Sequence, residues 1–184
     1  MEIKLIITDF DGTLVNTFQA NYHAYNEAFM KMGLTLSEEQ YRKCYGLRFD
    51  GFMDVMGIRE VETRKCIRAI KGECYPNFFG QLHVNQPLLD FIRMFRKSGG
   101  KTAVASTARG KNLNNALNFI GATDDFDLIL AGEDVNEGKP SPEIYNTVMS
   151  RMDVSPNETL IFEDSSVGLQ AASASGAHFI QITL

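Results

Sequence analysis

The chain has 184 residues, of which 44% are apolar and 22% charged, and its formal charge is −5. That length holds one full-sized domain, or one domain with a smaller insertion, and the composition is that of a soluble globular protein. The acidic balance argues against a general nucleic-acid binder, no run approaches the ~20 apolar residues of a membrane span, and the N-terminus leaves no room for a signal peptide, so a cytoplasmic monomer is expected.

The first predicted strand, 3–8, is apolar and runs directly into Asp9-Phe10-Asp11-Gly12-Thr13. Two carboxylates at the mouth of a buried strand oppose each other's ionisation, and a bound cation is the natural way to keep both charged. The stretch 15–84 shows no strand pattern and is too long for a simple crossover. Tyr22, Tyr25, Phe29 and Met32 share one helical face that ends at Gly33, and Ser37 with Gln40 forms a capping-box pattern. A further helix is expected over 61–79, interrupted near Tyr75-Pro76. Cys44, Cys66 and Cys74 are odd in number and lack metal-ligand spacing, so they read as reduced thiols.

Strands and helices then alternate. Leu88, Ile92 and Phe95 mark a helix stopped by Gly99-Gly100, and strand 101–106 follows. Leu113, Leu117 and Ile120 mark the next helix, before strand 126–130. Ser141-Pro142 supplies an N-cap and a first-turn proline for a helix along Ile144, Tyr145 and Val148. Strand 159–162, a small-residue helix over 167–174 and strand 177–183 complete the pattern, and no further helix follows. Such alternation implies an α/β fold with a parallel sheet covered on both faces.

Ligands of open parallel sheets bind at the carboxyl ends of the strands. Asp9 and Asp11, Ser106 and Thr107, Lys139, and Glu163-Asp164 all fall at or beyond such ends, so they can converge on one rim. Carboxylates, hydroxyls and an ammonium suit a phosphoryl group and a hard cation, and oxygen ligands suit Mg²⁺.

With DFDGT from Asp9, Ser106-Thr107, Lys139 within GKPSPE, and FEDS from Phe162, the chain resembles the haloacid dehalogenase (HAD) superfamily. It is similar to the branch with a helical cap after the first motif, among the beta-phosphoglucomutase-like phosphatases. The resemblance implies a Rossmann-like core of residues 1–15 and 83–184 and a cap of residues 16–82. It implies that Asp9 is a nucleophile, ionised at its ordinary pKa and forming an aspartyl-phosphate, and that Asp11 is the acid/base. Asp9, the Asp11 carbonyl and Asp164 would hold Mg²⁺. Glu163 would either join them or orient Lys139. Ser106, Thr107 and Lys139 would hold phosphate oxygens. Asp134 fits a family loop position, or merely caps a turn. A retained Asp11 favours phosphate-ester cleavage over halide displacement, because an alkoxide leaving group needs a proton.

The implied partner is a small phosphorylated metabolite, with a lid closing over the rim to exclude water. Residues 71–75, from Lys71, resemble a mutase cap segment whose lysine contacts a sugar phosphate, although Lys71 also reads as a solvated helix lysine. Arg48 ends a loop similar to another cap loop, one place early. Asn21 stands where mutases carry a histidine, and His23 lies about 200° further round a helix. These departures favour a phosphatase over a beta-phosphoglucomutase-like isomerase. A non-catalytic binding protein is the remaining alternative, and the intact motif set opposes it.

Overall fold

The computed structural model describes residues 2–184. Strand β1 spans Leu5–Thr8 and the short β2 spans Val15–Asn16; four helices follow, α1 Phe18–Lys31, α2 Glu38–Cys44, α3 Phe49–Val55 and α4 Val61–Cys74. A 3₁₀ segment, Tyr75–Gln81, leads to β3, His83–Val84. The remainder alternates: α5 Gln86–Lys97, β4 Lys101–Ala105, α6 Gly110–Phe119, β5 Leu128–Leu130, α7 Glu143–Met152, β6 Thr159–Glu163, α8 Ser166–Ala174 and β7 His178–Gln181.

The chain divides into two compact units, Met1–Asn16 with His83–Leu184, and Thr17–Leu82. In the first, five parallel strands lie in the order β5-β4-β1-β6-β7. Every residue of β1 is buried, as expected of a central strand covered on both faces. Its Thr8 is in register with Val104 on one side and Phe162 on the other, so the three strands end within one residue of a common level. One face of the sheet packs Leu5, Ile7, Ala103, Ala105, Leu130 and Ile161 against Ile144, Tyr145, Val148 and Met149 of α7. Ala171 and Ala172 let α8 approach the same core closely. At about 25 cal/mol per Å² of apolar surface, this burial is the main source of the unit's stability.

The second unit is a helical cluster packed largely with aromatic rings. Phe29, Tyr41 and Phe52 are buried in its core, and Tyr25 packs edge-on against Phe52 at 5.0 Å between ring centres. The capping box is present: Ser37 Oγ accepts from Gln40 N at 3.1 Å, while Gln40 Oε1 accepts from Ser37 N at 2.8 Å.

Three local features differ from the expectations. The 15–84 stretch does contain strand, because β2 and β3 pair antiparallel, Val15 with Val84 and Asn16 with His83. Two residues each are too few to show a period of two. Helix α3 was also unexpected, since its seven residues hold one buried turn, Phe52 and Met53, too short for a repeating stripe. Helix α7 begins one residue late, with Pro142 at its N-cap position.

Candidate active site

The register of β1 and β6 brings Asp9 and Glu163 to the same rim. Asp9 N donates to Phe162 O at 3.0 Å, which fixes the nearer backbone. Lys139 enters from the loop before α7 with its side chain only 2% exposed. Its Nζ donates to Asp9 Oδ1 at 2.6 Å and to Glu163 Oε1 at 2.5 Å. Glu163 is 1% exposed, and both of its oxygens are engaged by protein donors. Oε1 also accepts from the Tyr145 hydroxyl at 3.3 Å, and Oε2 accepts from Ser165 N at 2.8 Å and Ser165 Oγ at 3.1 Å. Gly168 makes this possible, because a Cβ there would overlap the Glu163 carboxylate.

Asp164 is held differently. Its Oδ1 accepts from Thr13 Oγ1 at 2.8 Å, and its carboxylate lies against Gly12. Gly12 has φ of 92° in a turn closed by Gly12 N donating to Val15 O at 2.8 Å. A side chain at Gly12 would be strained by this conformation and would also strike the Asp164 carboxylate. Ser106, 1% exposed, accepts from Ala108 N at 3.0 Å and lies 3.4 Å from Asp11 Oδ2. Thr107 follows it, half-buried. Asp134 has a local role: it accepts from Ala131 N at 2.7 Å and closes its own turn.

Carboxylate oxygens of Asp9, Glu163 and Asp164 lie within 4.8 Å of one another. This all-oxygen set, with the small-residue cradle at Gly12, fits a hard divalent cation. Of the three, Asp9 and Asp164 fit a direct ligand role best, because Lys139, Tyr145 and Ser165 already occupy Glu163.

Burial pushes the Asp9 carboxyl well above its usual range; Lys139 opposes this, and Glu163, Asp164 and Asp11 add to it. The ordinary carboxyl pKa expected of Asp9 from the sequence is therefore not what its buried surroundings favour. Burial works against the charge on Lys139 too, but Asp9, Tyr145 and Glu163 outweigh it and hold its pKa well above that of an ordinary lysine. Burial also raises Asp164, against the pull of its Thr13 hydrogen bond. These are the signs of a site that a cation would complete.

Arg48, Lys71 and Asn21 belong to the helical unit. Arg48 stands at the N-cap of α3. Lys71 is buried rather than solvated, with Nζ 3.8 Å from the centre of the Tyr75 ring and 5.1 Å from that of Tyr25. The reading of Lys71 as a solvated helix lysine fails because its partners are aromatic faces, which residue type does not reveal. Asn21 donates to Thr17 Oγ1 at 3.0 Å, and His23 bonds Gln81 at 2.7 Å. Tyr145, Ser165, Thr13 and Gly168 escaped assignment from sequence as site-building residues. Only Thr13 and Ser165 lay inside quoted motifs, where their hydroxyls were the available signal.

Sheet topology and rim together define an α/β protein whose clustered carboxylates, hydroxyl and ammonium suit a phosphoryl group. The family model of haloacid dehalogenase-like hydrolases matches residues 6–182, and the chain belongs to that family. It is 29% identical over 205 residues to protein CbbY of Rhodobacter capsulatus, covering 98% of this chain and 85% of that one. It is 26% identical over 180 residues to the phosphorylated carbohydrates phosphatase of Thermotoga maritima, covering 95% and 82%. The crystal structure of CbbY from Rhodobacter sphaeroides in complex with phosphate superposes with a TM-score of 0.89 at 28% identity, covering 99% of this chain and 87% of that one. A second structure of that protein, at 27% identity and TM-score 0.89, holds xylulose-(1,5)bisphosphate. With this rim and this family, the chain is a phosphoric monoester hydrolase. Among the described residues no helix is long and apolar enough to cross a membrane.

Proposed function

We propose that the chain is a Mg²⁺-dependent phosphatase of a small phosphorylated metabolite, acting through an aspartyl-phosphate on Asp9. The observation that carries this reading is the buried Lys139 ammonium, 2.6 Å from Asp9 and beside a three-carboxylate cluster. A lysine so enclosed neutralises charge on a transferring phosphoryl group and holds its non-bridging oxygens. Asp9 Oδ attacks phosphorus, and Asp11 protonates the leaving oxygen and then takes a proton from the attacking water. Ser106 and Thr107 donate to the phosphate. Asp9, Asp164 and the Asp11 carbonyl would hold Mg²⁺, which when bound offsets the clustered negative charge and polarises the phosphoryl group. Glu163 orients Lys139.

The helical unit serves as the cap that selects the substrate. The names and ligands of the relatives favour a phosphorylated carbohydrate. The test is phosphate release with Mg²⁺ from sugar phosphates, nucleotides, phosphoglycolate, pyrophosphate and an aryl phosphate. Release from one metabolite class, abolished by Asp9→Asn, is the expected result. Full activity in Asp9→Asn would overturn the nucleophile, and no release from any compound would overturn the phosphatase reading.

A further inference from the structure

Lysine reaches its target on a flexible four-carbon stem, so a well-placed ammonium needs a well-placed backbone. Lys139 is carried by an exposed loop, with Asn136 and Glu137 both open to solvent. One side chain grips this loop. Glu143, the first residue of α7, accepts from Asn136 N through Oε1 at 2.8 Å and from Glu137 N through Oε2 at 2.7 Å. A single carboxylate thus takes two consecutive backbone N–H groups, one on each oxygen. Beyond the lysine, Ser141 N donates to Gly138 O at 3.0 Å and closes the turn that contains Lys139. The helix behind the grip is anchored by the buried Ile144, Tyr145, Val148 and Met149.

We propose that Glu143 is the positioning residue for Lys139. It ties the loop to the rigid α7, so that Nζ meets Asp9 and Glu163 without a search over loop conformations. This inference rests on the assignment of Lys139 to the phosphoryl site. The competing role is purely structural, since an acidic residue in a first helical turn also complements the helix dipole. Charge-assisted bonds to backbone N–H groups are strong, and displacing a catalytic group by about 1 Å costs roughly 10²-fold.

The test is a double-mutant cycle on aryl phosphate hydrolysis with wild type, Glu143→Ala, Lys139→Ala and the double variant. Inorganic phosphate dissociation constants are titrated for all four, so that the cycle closes even where turnover is too slow to measure. Amide hydrogen exchange is followed at Asn136 and Glu137. Glu143→Ala should lower kcat about 10- to 100-fold and lose protection at both amides, yet cause no further loss in the Lys139→Ala background. Glu143→Gln, which keeps one acceptor oxygen and most of the shape, should fall between wild type and alanine, and it carries the test if the alanine variant fails to fold. Equal losses in both backgrounds, or a kcat within twofold of wild type, would overturn the positioning role. Lys139→Ala with undiminished turnover would instead refute the assignment of Lys139 itself.

Discussion

The sheet unit buries a cluster of paired carboxylates and ammonium, whereas the buried Lys71 of the helical unit sits against aromatic rings. In the sheet unit the side chains of Asp9, Lys139 and Glu163 are buried together and linked by bonds of 2.5–2.6 Å. In the helical unit Glu38–Arg42, Glu39–Lys43 and Glu62–Lys65 lie on the surface, one helical turn apart, and its interior is filled with aromatic rings. Removing ions from water costs several kcal/mol each unless they satisfy one another, whereas exposed pairs contribute under about 1 kcal/mol. The sheet unit accepts a destabilising arrangement for the sake of chemistry, and the helical unit is built for packing. Substitutions should therefore show first in turnover in one unit and first in melting in the other.

The largest effect expected is on turnover. Asp9→Asn keeps the shape of the side chain but removes the proposed nucleophile, and the rate should fall by about 10⁴-fold or more, as for other enzymes stripped of one. Single-turnover assays with Mg²⁺ measure this directly. By contrast, Phe52→Ala should act on folding. The ring is 3% exposed and contacts Tyr25, Phe29 and Tyr41, so its loss should cost about 3–5 kcal/mol in denaturant unfolding. A cost below about 1 kcal/mol would show that the aromatic cluster does not carry the unit's stability.

The same contrast explains what was legible in the sequence. The five sheet strands could be read because buried parallel strands are short apolar runs bounded by turn residues, and Asp9, Ser106 and Glu163-Asp164 lie where such runs end. Their convergence follows from topology, whereas Lys139 sits in the loop before α7 and depends on that loop's conformation as well. The helical unit yielded less. Lys71 reads as solvent-facing by residue type, and only its tertiary neighbours Tyr25 and Tyr75 make it a buried cation. The raised pKa of Asp9 was equally hidden, because desolvation depends on how deeply β1 is covered, and a motif does not record that. The grip of Glu143 on Asn136 and Glu137 depends on a loop conformation that spacing does not encode.

A smaller effect tests the cost of the buried charge. The native pKa of Asp9 lies above its ordinary value of 3.8, so the folded protein binds this proton more tightly than the unfolded chain. The associated stability is fully present below about pH 4 and is lost as pH rises through the native value. In EDTA, wild type should therefore lose melting temperature over this range relative to Asp9→Asn, which cannot ionise. At pH 7 the variant should melt higher by a few degrees, about 2–4 °C per kcal/mol for a chain of this length. Adding Mg²⁺ should stabilise wild type selectively and narrow the gap. An Asp9→Asn variant that melts below wild type in EDTA at pH 7 would mean that the Lys139–Asp9 pair stabilises more than burial costs.

The smallest effect concerns the helical unit alone. Ser37→Ala removes the hydroxyl that accepts from Gln40 N and so undoes one half of the capping box. Three neighbouring N–H groups at the start of α2 lack intrahelical partners whether or not the serine is present, so the loss is one bond and not the helix. The expected cost is about 1 kcal/mol, and Ser37→Thr should restore most of it. Arg42→Ala should cost a similar amount, about 1 kcal/mol, because it loses both the exposed i,i+4 contact with Glu38 and a guanidinium 4.3 Å from the centre of the Phe18 ring. Turnover of an aryl phosphate should stay within twofold for both variants, since neither residue belongs to the rim. Rates that drop in step with melting would instead mean that catalysis in the sheet unit depends on the integrity of α2, and the division of labour between the two units would have to be abandoned.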